Sequence, residues 1–295
     1  MELANLIAGH FSDIAAERNF SFRSHTTIGC GGTAAVALSP ASAERAAELI
    51  CYLEGEKIPY CFLGAGANVL PSDGFFEGVV IRFELLNALY AEENVIYAGA
   101  GVTGGRLCRF ARGRGLSGLE PFTGIPMSVG GAAAMNAGVA EGHVSDLAVR
   151  VFAAEKGKLK TLEARECAFG VKNSIFLQEK IAVLGVYLKT AYASEEQIAR
   201  NTCYFRNKRA HLPKGRSMGC VFVNPQEISA GKLIEECGLK GAAVGGARVS
   251  EEHANFIINE KNATFADVSR LAAFVKDTVH RKTGILLREE IRPIP

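Results

Sequence analysis

The stretch Gly219-Cys220-Val221-Phe222-Val223-Asn224-Pro225 sets a thiol between a glycine and a short apolar run, just ahead of an Asn-Pro turn signal. Two readings compete there. Cys220 is a small apolar filler of the core, as free cysteines usually are, or it is a proton donor. A thiol has an ordinary pKa of about 8.5, so it is mostly protonated at neutral pH and is a much stronger acid than a serine hydroxyl.

Two glycine-rich stretches suggest a second kind of chemistry. GAGANVLPSDGFFEGVVI (64–81) follows a short apolar run. Consecutive backbone N–H groups there can form a nest for an anion such as a pyrophosphate. TGIPMSVGGAAAMNAG (123–138) is a run of small residues around Asn136. It lets a flat ring system lie against the backbone. Either loop alone is compatible with a tight turn that binds nothing, but the two together point to a large phosphate-bearing cofactor. GAGVTG (99–104) is a literal G-x-G-x-x-G between a strand and a helix. A dinucleotide fold also needs an acidic residue at the end of a second strand about 20 positions on. The nearest acid, Glu120, falls in a loop-like stretch, so this pattern is set aside. No G-x-x-x-x-G-K-[ST] or G-x-S-x-G motif is present.

These groups need elements to hold them. Apolar periodicity predicts strands over 60–63, 78–83, 94–98, 148–155 and 180–191, and a final strand in ILLREEIRPI. Leu3, Leu6, Ile7, Phe11 and Ile14 predict an amphipathic N-terminal helix. Further helices are expected over 40–53, with Ser39 as cap and Pro40 at the first position, and over 106–115, 194–210 and 229–238. The clearest helix is 264–284, with Thr264 as cap, Val268, Leu271, Ala272, Val275 and Val279 as its apolar stripe, and Gly284 as its stop. Residues 116–147 show no clear period.

A chain of 295 residues suggests two domains and allows three small ones. The net charge is +2, with acids and bases interspersed, which gives no electrostatic reason to bind nucleic acid or a membrane surface. No apolar run reaches the roughly 18 residues of a membrane span, and the N-terminus lacks the features of a secretory leader. A cytoplasmic protein is expected. The 8 cysteines (Cys30, Cys51, Cys61, Cys108, Cys167, Cys203, Cys220, Cys237) form no C-x-x-C and no zinc spacing. No metal site is expected, and the thiols should be free in a reducing compartment.

Together these motifs resemble the UDP-N-acetylenolpyruvoylglucosamine reductase family over almost the whole chain. HTTIGCGGTA (25–34) is similar to its opening segment, and GAGANVLPSD to its Gly-x-Gly-Ser-Asn-x-Leu loop. GLSGLEPFTGIPMSVGGAAAMNAG is similar to its second glycine segment. GCVFVNP, the SAGKLIEECGLKGAAVGGARVSEEHANFIIN stretch and GILLREEIRPI resemble its substrate-domain signature and C-terminal strand. The shorter subtype fits the length.

The resemblance implies an α+β protein. It would have the two-subdomain FAD-binding fold of the vanillyl-alcohol-oxidase (PCMH) type and a third α+β substrate-binding domain. The implied division is 1–84 with 285–295, then 85–193, then 194–284. It also implies the reduction of UDP-N-acetylglucosamine enolpyruvate to UDP-N-acetylmuramate in peptidoglycan precursor synthesis. FAD would be held non-covalently, NADPH would donate hydride, the partners would be small molecules, and the chain would be a monomer. FAD binding is implied for Gly64, Ala65, Gly66, Ala67, Asn68 and Val69. It is implied in the second loop for Thr123, Ile125, Pro126, Ser128, Gly130, Gly131, Asn136 and Gly138. Substrate binding is implied for Arg209, Asn224, Lys232, His253 and Asn255. The catalytic roles fall on Cys220 as proton donor and on Lys172 and Glu290, which stabilise the developing enolate.

Several positions depart from the family pattern. Cys220 stands at its serine position and Lys172 at its arginine, so charge is kept without the planar fork that grips a carboxylate. Val223 replaces a lysine, Met127 a glycine, and VAEGH (139–143) an Ala-Tyr-Gly-x-Glu segment. The basic stretch RNKRAHLPKGR (206–216) is a candidate for the diphosphate. Two alternatives stay open. One is a flavin-dependent oxidase of the same superfold, for which His25 or Cys30 could tether the flavin. The other is a flavin- or UDP-sugar-binding paralogue that has lost catalysis.

Overall fold

The N-terminal apolar residues recur at helical spacing, yet the helix Glu2–His10 stops early and Ala15–Ser21 is a strand. Ile7, Phe11 and Ile14 are buried while Leu6 is 58% exposed. Pairing in a sheet overrides a local helical preference of under about 1 kcal/mol per residue. The computed structural model describes residues 2–225 and 228–295.

The chain divides into two compact units. Residues up to Arg18, Val36–Ala65 and Glu77–Ala210 form the first; Asn19–Ala35, Gly66–Phe76 and the segment from His211 onward form the second. The described residues of the first unit form two hydrophobic clusters. One packs Ile7, Phe11, Leu49, Ile50 and Leu53 against Val36, Leu38, Val79 and Ile81. Its sheet runs in the order Ala15–Ser21, Thr33–Ser39, Phe75–Arg82, Tyr60–Leu63. The helix Ala43–Gly55 covers it. The expected cap, Ser39, donates instead to Glu84 Oε1 at 2.7 Å, and Ser42 caps the helix by accepting from Arg45 N. The helix thus begins three residues later than Pro40 suggested.

The other cluster of this unit lies under a five-stranded antiparallel sheet in the order Lys158–Glu163, Ala148–Glu155, Ala182–Lys189, Val95–Gly99, Leu89–Glu92. Leu107, Phe122, Val129, Val151 and Val186 fill it. The segment 116–147, which lacks a period, folds mostly into short turns and the six-residue helix Val129–Ala134. The helix Glu195–Lys208, capped by Ser194, also belongs to the first unit.

The described residues of the second unit form one cluster, built on Phe222, Leu233, Ile257, Leu271, Val275 and Val279. An antiparallel sheet runs in the order Ser217–Cys220, Phe256–Asn259, Ala247–Val249, Ala243–Val244. The helix Phe265–Thr283 shows the expected signals: a capping box between Thr264 and Asp267, and Gly284 at φ 73°. It has a further cap that periodicity does not reveal. The Asp73 carboxylate accepts from Phe265 N at 2.8 Å and Ala266 N at 3.2 Å, placing negative charge at the positive end of the helix. The expected last strand is divided in two. Arg288–Glu289 pairs antiparallel with Phe222–Val223, and Arg292–Ile294 pairs parallel with Val69–Pro71. The chain changes partner at Glu290 and Ile291, which breaks the ladder. Among the described residues, no helix is long and apolar enough to cross a membrane.

The G-x-G-x-x-G motif has a packing role. A Cβ on Gly99 would lie 2.3 Å from Leu86 O, one on Gly101 2.2 Å from Phe83 O, and one on Gly104 3.0 Å from Met127 Cγ. Gly99 and Gly101 are demanded by the protein's own backbone, and Gly104 by the Met127 side chain and Ile125 O. Gly101→Ala should therefore cost about 2 kcal/mol or more of stability, seen as a lower urea midpoint at unchanged slope. Gly105→Ala, whose Cβ would meet only Arg109 Nη1 at 3.4 Å in a helix, should be neutral or stabilising.

Candidate active site

The first glycine loop leaves the strand Tyr60–Leu63. Gly66 sits at φ 65°, and a Cβ there would lie 2.3 Å from His25 O, so no other residue fits. Among the described residues, the N–H groups of Ala65, Gly66 and Ala67 donate to no acceptor. A left-handed residue amid consecutive free amides is the geometry of an anion nest. Gly64 and Ala65 are exposed and Ala67 is half-buried. Asn68 Nδ2 donates to Glu290 O at 3.1 Å, and Val69 pairs with Arg292.

The second loop meets the first. A Cβ on Gly64 would lie 2.6 Å from Ser128 Oγ, with Gly131 Cα at 3.6 Å. Ser128 caps the helix Val129–Ala134 by accepting from Gly131 N. The amides of Val129 and Gly130 donate to Val102 O and Ala100 O, each at 2.9 Å. They are thus not available to a phosphate, and Gly130 is demanded by Ala100, 2.8 Å from its would-be Cβ. Thr123 carries a buried hydroxyl oxygen that has no hydrogen-bond partner among the described residues. The Cys108 thiol near it donates instead to Leu119 O at 3.3 Å. A buried polar atom left without a partner is costly, so Thr123 is a group for which a ligand would be the partner. Ile125 is half-buried against the core and Pro126 exposed. Glu120 is 5% exposed and accepts from Ser117 Oγ and Gly118 N, which makes it a turn-former.

Lys172 is held by the far end of this loop. Ser174, fully buried, donates to Ala134 O at 2.6 Å; Asn136 Nδ2 donates to Gly170 O at 3.0 Å; Lys172 Nζ lies 3.5 Å from Gly138 O. Asn136 Oδ1 also accepts from Ser145 N at 2.9 Å, so its amide is engaged with the protein's own backbone. Asn136 and Lys172 both adopt left-handed backbone, at φ 43° and 56°. That costs a residue with a side chain roughly 1–2 kcal/mol and persists only where surrounding contacts fix it. The basic stretch is dispersed. Lys208 pairs with Glu141, and Arg209 donates to Pro121 O at 2.6 Å. Burial lowers the Arg209 guanidinium pKa from its usual value.

In the second unit the ladder between Ser217–Cys220 and Phe256–Asn259 shifts register between Ser217 and Cys220. Met218 and Gly219 together stand opposite Ile257, which makes a bulge, and Gly219 has φ 75° with open space around its would-be Cβ. Bulges re-aim the side chain that follows and concentrate at active sites. Cys220, half-buried, follows this one. Val221 N donates to Asn255 O at 2.8 Å, and Glu290 N donates to Val221 O at 2.7 Å. Cys220 and Glu290 are thus held by one residue, Val221, while Asn68 holds the Glu290 carbonyl. Glu289 turns elsewhere and pairs with Lys276 at 2.9 Å. Asn224 Oδ1 accepts from Ala230 N, and Lys232 is an exposed surface residue near Glu236. His253 Nδ1 accepts from Asn255 N at 3.2 Å, and burial pushes its pKa down. The bulge at Gly219 and the contacts of Ser174 and Asp73 escaped the sequence reading. The glycine before Cys220 was the one available signal; the other two act through contacts remote in sequence.

Residues 210–294 match the C-terminal domain of UDP-N-acetylenolpyruvoylglucosamine reductase, and 34–161 match an FAD binding domain. The reductase of Geobacillus kaustophilus is 36% identical over 301 residues, covering 100% of this chain and 99% of its own. That of Geobacter metallireducens is 38% identical over 272 residues, covering 91% and 90%. The crystal structure of the Thermus caldophilus reductase matches with a TM-score of 0.83 at 34% identity, over 96% of this chain and 100% of that one. A variant of Phl p 4, a glucose dehydrogenase, matches over 66% of this chain and 45% of its own with a TM-score of 0.51 at 11% identity, a likeness of fold alone. The chain has the expected α+β architecture: an FAD-binding fold of the vanillyl-alcohol-oxidase type with a C-terminal reductase domain.

The thiols should separate by environment. Burial pushes Cys30 and Cys108 up to about 11 and Cys61 up to about 12, whereas Cys51 and Cys203 are exposed. The thiolate is the reactive form. Iodoacetamide at pH 8 should label Cys51 and Cys203 first, and Cys30 only on unfolding, as read by peptide mass spectrometry.

Proposed function

The chain belongs to the UDP-N-acetylenolpyruvoylglucosamine reductase family, and we propose that Cys220 is the proton donor of its reaction. The protein is an FAD-containing, NADPH-dependent oxidoreductase that converts UDP-N-acetylglucosamine enolpyruvate to UDP-N-acetylmuramate in peptidoglycan precursor synthesis. The residues present fit the cofactor: among the described residues the amides of Ala65, Gly66 and Ala67 donate to no acceptor and suit a pyrophosphate, and the buried Thr123 hydroxyl oxygen has no hydrogen-bond partner. When bound, FAD would supply the hydride, drawn from NADPH, for C3 of the enolpyruvyl group.

The chain's own residues then manage charge and a proton. Negative charge builds at C2 and on the adjoining carboxylate. The Cys220 S–H bond breaks as a C–H bond forms at C2, and the thiolate left behind takes a proton from water. Lys172 supplies a positive charge to the carboxylate oxygens as a point charge, and Glu290 is the second group assigned to them. The bulge at Gly219 is the observation that supports this reading best, because it gives Cys220 an orientation a regular strand would not. Arg209, Asn224, Lys232 and His253 are assigned to the UDP-sugar. We place the enzyme in the cytoplasm as a monomer acting on small molecules.

NADPH oxidation that requires the enolpyruvyl UDP-sugar tests the activity. Cys220→Ala should leave flavin reduction by NADPH near the wild-type rate and slow reoxidation by substrate by roughly 10²- to 10⁴-fold, the usual contribution of a positioned general acid. Cys220→Ser should recover much of that. A core thiol predicts lost stability with both half-reactions intact, so stopped-flow traces separate the two. Lys172→Ala should lower kcat by about 10²-fold or more, and Lys172→Arg should hold or raise it. An alanine variant as active as wild type would move that charge to another residue.

A further inference from the structure

Beside Cys220 the chain changes strand partners. Cys220 pairs with Phe256 in one ladder, and Phe222 pairs with Glu289 in the next. A backbone in such a crossing loses the regular neighbour that would satisfy it. The Asn255 side chain supplies one. Its Oδ1 accepts from Phe222 N at 2.9 Å and its Nδ2 donates to Phe222 O at 2.8 Å. Its own carbonyl accepts from Val221 N at 2.8 Å. One residue therefore holds both positions that follow Cys220, and Glu290 N closes the other side of Val221. Asn255 is 2% exposed, which puts its engaged amide out of reach of a substrate. Gly231 packs closely on it, its would-be Cβ 3.6 Å from Asn255 Cβ.

We propose that Asn255 is a positioning residue for Cys220, acting through Val221 and Phe222, rather than a substrate ligand. Without this brace the segment after the bulge can rotate, and the thiol loses its direction toward C2. The proposal rests on the reading of Cys220 as proton donor. Two variants probe it. Asn255→Ala removes both hydrogen bonds. Asn255→Asp keeps an acceptor for Phe222 N and sets a carboxylate oxygen against Phe222 O.

In both variants flavin reduction by NADPH should stay within about twofold of wild type, while reoxidation by UDP-N-acetylglucosamine enolpyruvate should fall about tenfold or more. In a Cys220→Ala background, Asn255→Ala should cause less than about a twofold further loss, because residues acting through one group are not additive. A full additional loss there, or a raised KM at unchanged kcat, would overturn the proposal and make Asn255 a substrate ligand. Failure of both variants to fold would make it a structural residue and overturn the proposal as well. Should wild-type reduced flavin not be reoxidised by this substrate, the reading of the reaction fails, and labelling decides Asn255 separately. Iodoacetamide modification of the Cys220 peptide should then differ at least about threefold between wild type and Asn255→Ala or Asn255→Asp, and an unchanged rate overturns the proposal.

Discussion

Backbone runs directly against backbone in the first unit, at distances that exclude a Cβ. The loop 123–138 lies on the segment 99–104: Gly104 N donates to Met127 O, Val129 N to Val102 O and Gly130 N to Ala100 O. Gly99 and Gly101 in turn let that segment approach the carbonyls of Leu86 and Phe83. The motif that imitates a dinucleotide fingerprint is thus the backing of the loop assigned to the flavin. Gly138, whose Cβ would lie 2.3 Å from Gly142 O, continues the same constraint to the end of the loop that holds Lys172. The side-chain positions rest on these approaches, since each added methyl would have to displace a peptide group.

Where strand ladders are interrupted, buried amides and hydroxyls replace them. Asn136 joins Gly170 and Ser145; Asn259 donates to Ile28 O and Gly29 O and accepts from Ala263 N at 2.7 Å. Asn255 does the same for Phe222. Asn255 and Asn259 bridge groups of buried residues, which would cost roughly 1–3 kcal/mol apiece if left unpaired. Asparagine suits the task because its amide presents the same donor and acceptor as a peptide group. The catalytic candidates sit beside such residues, where backbone can leave regular structure and still be held.

The departures from the family pattern read differently in three dimensions. Met127 fills the core and leans toward Gly104, so its size is absorbed there. Val223 lies in a ladder opposite Arg288. Cys220 and Lys172 keep, respectively, a donatable proton and a positive charge. Both substitutions alter strength and geometry rather than the kind of chemistry.

The residue pattern by itself determined the strands Tyr60–Leu63 and Ala148–Glu155, the helix Phe265–Thr283 with Thr264 and Gly284 at its ends, and the two glycine loops. Those features depend on local spacing, capping and the left-handed freedom of glycine. Tertiary structure decided the strand Ala15–Ser21 within a helical pattern, the start of a helix at Ser42 rather than Ser39, and the division of the last strand. It also decided which glycines face backbone and which leave amides open, the Asp73 cap, and the employment of Asn136 and Asn255 as substitutes for peptide groups. Each of those depends on a partner far along the chain, and spacing within a short window contains no information about such a partner.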